Sequence, residues 1–237
     1  MNKPEKLNEW VTLYEGRCED VLATGLIPTN AAIISDPPYG MNWNTDSTRF
    51  SGGRGKRGEG REDWGEIVGD TIEFDPLPWL SFPRVVLWGS NHYAARLPVG
   101  TGLVWLKKPD HLFGTFLSDA EVAWMKGGCG IYCFRDTGEY MRIQKNKFHP
   151  TQKPVNLMRW CIRKAKVPPG SVIVDPYAGS GTTLIAAMLE GRQAIGCEID
   201  PAYCDIIRRR VREADGTAPG TLFAEAAKQE ASLFDSL

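Results

Sequence analysis

Two apolar runs separated by a helical segment occupy residues 171–197, and this pattern limits the fold more than any other part of the chain. Residues 171–174 are short and apolar, and residues 182–189 have the composition of a buried helix. Residues 193–197 form a second apolar run. A helix between two strands favours their parallel pairing. The pattern therefore predicts an α/β fold with a doubly wound, mostly parallel sheet.

Other segments repeat these two kinds of pattern. Further short apolar runs predict strands, at 31–35, 84–88, 101–106, 120–125 and 130–134. The last two runs predict a hairpin that turns around residues 126–128. Apolar residues recur at helical spacing over 154–166 and 201–212, and more weakly over 222–233. These elements fit one domain, residues 1–237, with a modest insertion.

Composition narrows the class of protein without defining an activity. The formal net charge of −1 gives no overall attraction to nucleic acid, so contact with it needs local basic patches. The first residues lack a signal-peptide layout and no apolar run is long enough to span a bilayer, which predicts a cytoplasmic protein without a membrane partner. The six cysteines form no dense framework. Cys129 and Cys133 are interpreted as core thiols, and no metal is predicted.

A glycine-rich turn, Asp-Pro-Tyr-Ala-Gly-Ser-Gly-Thr-Thr, starts at Asp175 and joins the predicted strand to its helix. Gly179 and Gly181 allow a tight turn and close approach of a ligand, and the helix N-terminus favours a carboxylate or phosphate. The turn lacks the Gly-Lys-Ser/Thr of nucleoside-triphosphate loops, and Leu184 replaces the third glycine of the dinucleotide fingerprint. Glu198, 23 residues after Asp175, is placed to accept hydrogen bonds from ribose hydroxyls. The pattern favours a mononucleoside cofactor, and S-adenosylmethionine (SAM) offers a ribose and an amino-acid end.

The strand predicted at 31–35 runs into Asp36, Pro37, Pro38 and Tyr39. Two prolines cannot continue a strand ladder, so the backbone turns out of the sheet. An exocyclic amine of adenine or cytosine is a weak nucleophile, because its lone pair is delocalised into the ring. Asp36 and the Pro37 carbonyl can accept its two N–H groups, and Tyr39 offers a ring face for the base. A base in a duplex has to be flipped out of the stack to reach this corner.

Four segments resemble the DNA amino-methyltransferases that act on adenine N6 or cytosine N4. They are the tetrapeptide that starts at Asp36, the turn that starts at Asp175, Glu198, and His-Pro-Thr-Gln-Lys-Pro at residues 149–154. Their order resembles the β subgroup of that family, with the target-recognition region between the tetrapeptide and the cofactor turn. The resemblance implies a SAM-dependent methyltransferase fold.

The resemblance also implies roles for individual residues. The catalytic residues would be Asp36, Pro37, Pro38 and Tyr39. The cofactor-binding residues would be Asp175, Pro176, Tyr177, Gly179, Ser180, Gly181, Thr182, Thr183, Glu198, Thr151, Lys153 and Cys18. Thr151 and Lys153, just before a helix, can hold the carboxylate of the cofactor. Family members often have Gly-Asp-Cys before the catalytic strand, where this chain has Gly-Arg-Cys ending at Cys18, so the adenine contact departs from the family pattern.

The first position of the tetrapeptide bears on the target base. In this subgroup an aspartate there usually accompanies adenine and a serine usually accompanies cytosine, so Asp36 implies site-specific transfer to N6 of adenine in double-stranded DNA. Both bases present similar amines, so transfer to cytosine N4 stays open. Transfer to RNA or a protein amide, and a non-catalytic DNA-binding role, are further alternatives.

Basic residues near the tetrapeptide are candidates for DNA contact. Residues 41–66 form a basic, glycine-rich loop that we expect to be mobile, and residues 107–148 form the predicted target-recognition insertion. Candidate phosphate contacts are Arg49, Arg54, Lys56, Arg57, Arg61, Arg142, Lys145 and Lys147. Trp105 and Trp124 are interpreted as core aromatics, and residues 208–210 as the outer face of a helix. A homodimer and a cognate restriction enzyme stay open as partners.

Overall fold

The structure is a computed structural model that describes residues 3–42, 69–115, 118–136 and 152–215. Its strands are β1 (Glu5–Lys6), β2 (Val11–Glu15), β3 (Ala32–Ser35), β4 (Arg84–Trp88), β5 (Gly100–Leu106), β6 (Ala120–Arg135), β7 (Ile173–Asp175) and β8 (Ala194–Glu198). Its α-helices are α1 (Cys18–Ala23), α2 (Leu77–Leu80), α3 (Val155–Lys164), α4 (Thr182–Leu189) and α5 (Pro201–Ala214).

The strands form one sheet with the order β1-β2-β8-β7-β3-β4-β6-β5. The five consecutive strands β2, β8, β7, β3 and β4 pair in parallel, and β4 then pairs antiparallel with β6. Helices connect the parallel strands, so the predicted doubly wound, mostly parallel α/β sheet is confirmed. Because parallel strands end at the same edge of a sheet, the loops after β2, β3, β7 and β8 meet at one edge.

The hairpin expected within β6 is wrong. β6 instead runs along both sides of β5, since Leu103 of β5 pairs with Ala123 in the first arm and with Tyr132 in the second. The paired residue numbers run in opposite directions along the first arm and in the same direction along the second. Gly127 and Gly128 take φ values of +82° and +68°, so only residues tolerant of the left-handed region suit this crossing. The predicted insertion thus contains a strand of the main sheet.

Apolar layers cover both faces of the sheet. On one face, Ile34 of β3 belongs to a cluster with Leu184 of α4 and residues of α3 and α5. On the other face, Ile33 packs with Trp79 of α2. Neighbouring strand residues point to opposite faces, so a strand buried on both sides reads as a continuous apolar run. Each fully buried isoleucine stabilises the fold by about 1.5–3 kcal/mol relative to an exposed one.

Two interpretations of individual side chains have opposite outcomes. Cys129 and Cys133 are exposed on β6, so their interpretation as core thiols is wrong. Cys133 lies in the second arm of β6 at the edge of the sheet, where it pairs with Val104 on one side. Trp105 and Trp124 are buried, as predicted.

Within the described ranges no helix is long and apolar enough to cross a membrane. The helix predicted at 222–233 lies outside the described residues.

Candidate active site

The ends of β3 and β7 bring the two sequence motifs together. These strands are parallel neighbours, and Ser35 Oγ donates to Asp175 Oδ1 at 2.6 Å although 140 residues separate them in the chain. Burial raises the pKa of Asp175 to about 6, while the hydrogen bond from Ser35 opposes that rise. Since Asp36 follows Ser35 directly, the proline corner and the glycine-rich turn occupy the same edge of the sheet.

Asp70 holds the backbone of the proline corner. Its Oδ1 atom accepts hydrogen bonds from the backbone N–H groups of Tyr39, Gly40 and Met41, at 3.0, 2.9 and 3.2 Å. Its own carbonyl oxygen accepts from Asn42 at 2.8 Å. Asp70 is only 4% exposed, so water has little access to its carboxylate and these backbone N–H groups depend on Asp70 as their acceptor. Asp70 was missed in the sequence, because an isolated Gly-Asp pair carries no signal for a contact 30 residues away.

The ring of Tyr39 is held in place on two sides. His92 stacks on it with 4.7 Å between ring centroids and 13° between planes. The backbone of Gly89 lies against the ring, since a Cβ built on Gly89 would stand 2.0 Å from Tyr39 Cε1. His92 is exposed at the end of a short 3-10 helix. A base that stacks on Tyr39 therefore uses a free part of the ring or displaces the His92 side chain.

Asp36 is part of a chain of charged side chains. Lys153 Nζ lies 2.6 Å from Asp36 Oδ2 and 2.9 Å from Glu121 Oε2. Lys107 Nζ lies 2.8 Å from Glu121 Oε1. The hydroxyl of Tyr39 donates to Asp36 Oδ1. The sequence placed Lys153 at the carboxylate of a cofactor, whereas the structure places it against the first residue of the tetrapeptide.

The electrostatics of this chain depend on Lys153. Its side chain is 5% exposed. Burial alone lowers the pKa of Lys153, but Asp36 and Glu121 raise it above its ordinary value, so Lys153 stays protonated. Although burial favours a protonated Glu121, Lys153 and Lys107 lower the pKa of Glu121 to about 2. Burial keeps the pKa of Asp36 raised despite the opposing charge of Lys153. Glu121 was missed, although an acid within the apolar run of β6 is a recognisable signal.

The glycine-rich turn and the end of β8 form a second polar pocket. The N–H of Gly179 donates to Glu198 Oε2 at 2.7 Å, and that of Asp200 donates to Glu198 Oε1 at 2.9 Å. The backbone N–H of Ile199 is a further donor beside this carboxylate and also lowers the pKa of Glu198. Glu198 is 9% exposed, and burial raises its pKa to about 7. A carboxylate offers about four acceptor positions, so Glu198 keeps acceptor capacity for a ribose hydroxyl beside its backbone donors.

The replacement of a third fingerprint glycine by Leu184 has a structural explanation. A Cβ built on Gly196 of β8 would lie 2.7 Å from Leu184 Cδ1. The glycine that allows close approach of helix and strand thus lies on the neighbouring strand. The turn itself needs Gly179 and Gly181, which take φ values of +51° and +79°.

Arg210 ties the glycine-rich turn to α5. Its Nη1 atom donates to the carbonyl oxygen and the hydroxyl of Ser180 and to the hydroxyl of Thr182, with 2.9 Å to Ser180 Oγ. Arg210 is 8% exposed, so its interpretation as an outer-face residue is wrong. Arg209 is exposed and Arg208 pairs with Glu5 and Glu15 near the surface. A run of three arginines on a helix cannot all face one way, because successive residues are about 100° apart.

The loop after β2 adjoins the same pocket. The N–H of Gly16 donates to the carbonyl oxygen of Glu198 at 2.8 Å. Cys18 starts α1 and is 3% exposed; burial raises the pKa of its thiol to about 12, and the nearby side chain of Tyr177 opposes that rise. The structure therefore places Cys18 next to the glycine-rich turn.

Nine predicted site residues belong to parts of the chain that the structure does not describe. Those outside the described residues are Arg49, Arg54, Lys56, Arg57, Arg61, Arg142, Lys145, Lys147 and Thr151. In the part of the chain that is described, no group of three or more His, Cys, Asp or Glu side chains is arranged to hold a metal ion.

The fold and these contacts define a class of protein: a doubly wound α/β domain with a buried acid, Glu198, at the end of β8 and a proline corner at the same edge of the sheet. Residues 101–209 match the family model described as DNA methylase. This range includes Lys153, the glycine-rich turn and Glu198, whereas Asp36 precedes it. The family-level resemblance to DNA amino-methyltransferases is confirmed.

Two proteins of Escherichia coli (strain K12) are similar in sequence. "Putative methylase YubD" is 27% identical over an alignment of 212 positions, and the alignment covers 80% of this chain and 85% of that protein. DNA adenine methyltransferase YhdJ is 44% identical over 63 residues, 27% of this chain and 21% of YhdJ. The second similarity is therefore local.

Solved structures share the fold. M1.HpyAVI in complex with SAM has a TM-score of 0.52 and 18% identity, over 84% of this chain and 99% of that one. PvuII DNA methyltransferase, which is cytosine-N4-specific, has a TM-score of 0.52 and 15% identity, over 89% of this chain and 93% of that one. At these identities the likeness establishes the methyltransferase-type fold alone.

Proposed function

We propose that this chain is a SAM-dependent DNA methyltransferase that transfers a methyl group to the exocyclic N6 of adenine. One observation carries the proposal: Ser35 and Asp175 are in contact, so the corner proposed to bind the amine and the turn proposed to bind the cofactor lie side by side at one edge of the sheet. The DNA methylase family match over residues 101–209 supports the reaction class.

The pocket at β7 and β8 fits SAM. Glu198 would accept from the ribose hydroxyls, since its two oxygens are fixed by Gly179 and Asp200. Cys18 and Tyr177 would border the adenine of the cofactor, and the remaining residues of the turn would hold its amino-acid end. SAM, when bound, would supply a sulfonium methyl: the N–C bond would form from the amine lone pair as the C–S bond breaks and leaves its electron pair on sulfur. The substituted nitrogen would then release one proton to water.

The proline corner prepares the amine. Asp36 would accept one N–H of the target amine and the carbonyl of Pro37 the other, which favours a tetrahedral nitrogen with its lone pair free. Pro38 stiffens this turn, and Asp70 fixes the three residues after it through their backbone N–H groups. Tyr39 would contact the ring of the flipped base.

Adenine is the preferred target in this proposal. Asp36 stands where the related subgroup has aspartate with adenine and serine with cytosine. The local similarity to a protein named as a DNA adenine methyltransferase supports the same choice. Duplex DNA is the proposed substrate, with the target base flipped.

Basic residues in two segments, 41–66 and 137–148, belong to the proposed DNA-binding surface. The arginines and lysines of residues 41–66 would contact phosphates near the tetrapeptide, and those of residues 137–148 would contact phosphates further along the groove. A second copy of the chain and a cognate restriction enzyme are proposed partners that need separate binding measurements.

Asp36→Ala tests the proposal. We expect methyl transfer to unmethylated duplex DNA to fall by at least about 10³-fold, since both the amine acceptor and its orientation are lost. SAM affinity, measured by calorimetry, should stay within about threefold, because Asp36 makes no contact with Glu198 or Gly179. Equal loss of SAM binding and transfer would contradict the assignment. Competition between DNA, RNA and peptide substrates identifies the accepted class.

A further inference from the structure

Lys153 is a buried cation whose two acidic partners come from different elements. Asp36 follows β3, and Glu121 belongs to β6. The ammonium group also lies 5.9 Å from the ring centroid of Trp88. The side chain of Lys153 is only 5% exposed, and burial of an unpaired ammonium group costs free energy. The carboxylates of Asp36 and Glu121 therefore hold the ammonium group in this position.

The contacts fix the orientation of the Asp36 carboxylate. Lys153 binds Oδ2 and the Tyr39 hydroxyl binds Oδ1, which leaves one further acceptor position on each oxygen. Glu121 holds Lys153 from the other side, and Lys107 holds the second oxygen of Glu121. The carboxylate thus keeps room for an amine N–H while its rotation is restricted.

We propose that Lys153, held by Glu121, is a positioning residue that keeps the Asp36 carboxylate ionised and correctly oriented for the target amine. This inference rests on the proposed methyl transfer. A protonated Asp36 presents a neutral acid of lower acceptor strength to the amine. Burial favours that protonated form, and the charge of Lys153 opposes it.

The other groups around Asp36 do not replace Lys153. Glu121 and Asp175 are acids and favour protonation of Asp36. Tyr39 donates a neutral hydrogen bond, and the hydroxyl of Tyr93 donates to the carbonyl oxygen of Trp88. Lys107 contacts Glu121 rather than Asp36. Among the described residues in contact with Asp36, Lys153 therefore supplies the positive charge.

The first test is the pH dependence of single-turnover methyl transfer in Lys153→Met and Lys153→Arg. An opposite charge at this distance lowers a carboxyl pKa by about 1–3 units, so Lys153→Met should move the acid limb of the profile upward by about 1–3 pH units. Lys153→Arg should leave the limb within about half a unit, because the charge is kept. SAM affinity should be unchanged in both. Lys126→Met is the control, since exposed Lys126 donates to the carbonyl oxygens of Leu80 and Phe82 away from the corner.

An unmoved acid limb in Lys153→Met, or SAM binding weakened tenfold or more, would overturn the inference. The second result would instead make Lys153 a cofactor ligand and leave the proposed methyl transfer intact. Absence of transfer by the wild type at every pH is a different outcome, which removes the proposed function itself.

Glu121→Gln should shift the acid limb of the pH profile in the direction opposite to Lys153→Met, and it keeps the Lys153–Asp36 pair. Losing a neighbouring anion should move the acid limb downward, while looser positioning of Lys153 lowers the maximal rate. If Lys153→Met is inactive at all pH values or fails to fold, the acid limb of the pH profile of Glu121→Gln tests the inference instead. A downward shift supports the inference, and an unmoved or upward-shifted limb overturns it.

Discussion

Replacement of Asp70 by alanine tests how the catalytic corner is built. The substitution removes the single oxygen that accepts from the N–H groups of Tyr39, Gly40 and Met41. A hydrogen bond to a charged acceptor contributes about 1.5–3 kcal/mol net. Because the three donors share one oxygen, we count one to two such bonds and expect a loss of about 2–4 kcal/mol in the free energy of unfolding.

The same change should slow the reaction. A displacement of about 1 Å in a reacting group costs about 10²-fold in rate, and the corner that carries Asp36 and Tyr39 loses its main backbone anchor. The assays are urea unfolding and single-turnover methylation of duplex DNA. Asp70→Asn keeps one oxygen acceptor without the charge, so its losses should be smaller in both assays.

Asp75→Ala is the matched control. Among the described residues, exposed Asp75 accepts from one backbone N–H, that of Leu77, at 3.0 Å. We expect this variant to lose less than about 1 kcal/mol and to methylate normally. If Asp70→Ala unfolds within about 0.5 kcal/mol of the wild type, or methylates at the wild-type rate, Asp70 does not hold the corner and the reasoning fails.

Three further predictions concern other contacts of the site. Because the pKa of Glu198 is raised to about 7, the fraction of ionised Glu198, and hence the SAM affinity, should increase from pH 6 to pH 8. Glu198→Gln should bind SAM weakly, with a calorimetric affinity that does not change with pH. A wild-type SAM affinity that is independent of pH would contradict this prediction. The same raised pKa means that Glu198 favours the folded state below its unfolded-state pKa and loses this contribution as the pH rises through 7. Arg210→Met should lower the free energy of unfolding by about 2–3 kcal/mol and weaken SAM binding, because the carbonyl and hydroxyl oxygens of Ser180 lose their donor. An unchanged SAM affinity in calorimetric titrations would contradict a role of Arg210 in holding the turn. Gly89→Ala should reduce methylation with little change in SAM affinity, since the new Cβ would displace the ring of Tyr39; an unimpaired rate shows that the ring position is unimportant.

Local patterns predicted those elements that are buried on both sides. The runs at 84–88 and 182–189 coincide with β4 and α4, because continuous burial leaves a continuous apolar run. The path of β6 was not predictable from such patterns: two short apolar arms around glycines favour a hairpin locally, and only the sheet places β5 between them.

The candidate site shows the same limit. The motifs identified the residues at the strand ends, and the parallel sheet explains their contact. Asp70 and the burial of Arg210 depend on groups that meet across large distances in the sequence, so spacing carries no signal for them. Glu121 stands out as an acid within an apolar run, but the sequence does not indicate its partners. Lys153 illustrates the point, since its motif indicates a cofactor contact while its observed partners are Asp36 and Glu121.

The most direct measurement is mass analysis of nucleosides from unmethylated duplex DNA incubated with the purified protein and SAM carrying a deuterated methyl group. We expect labelled N6-methyldeoxyadenosine with the wild type and none with Asp36→Ala. Labelled N4-methyldeoxycytidine instead would contradict the choice of base. The absence of any labelled nucleoside, under conditions in which SAM binds, would contradict the claim that the corner and the turn form one methyl-transfer cleft.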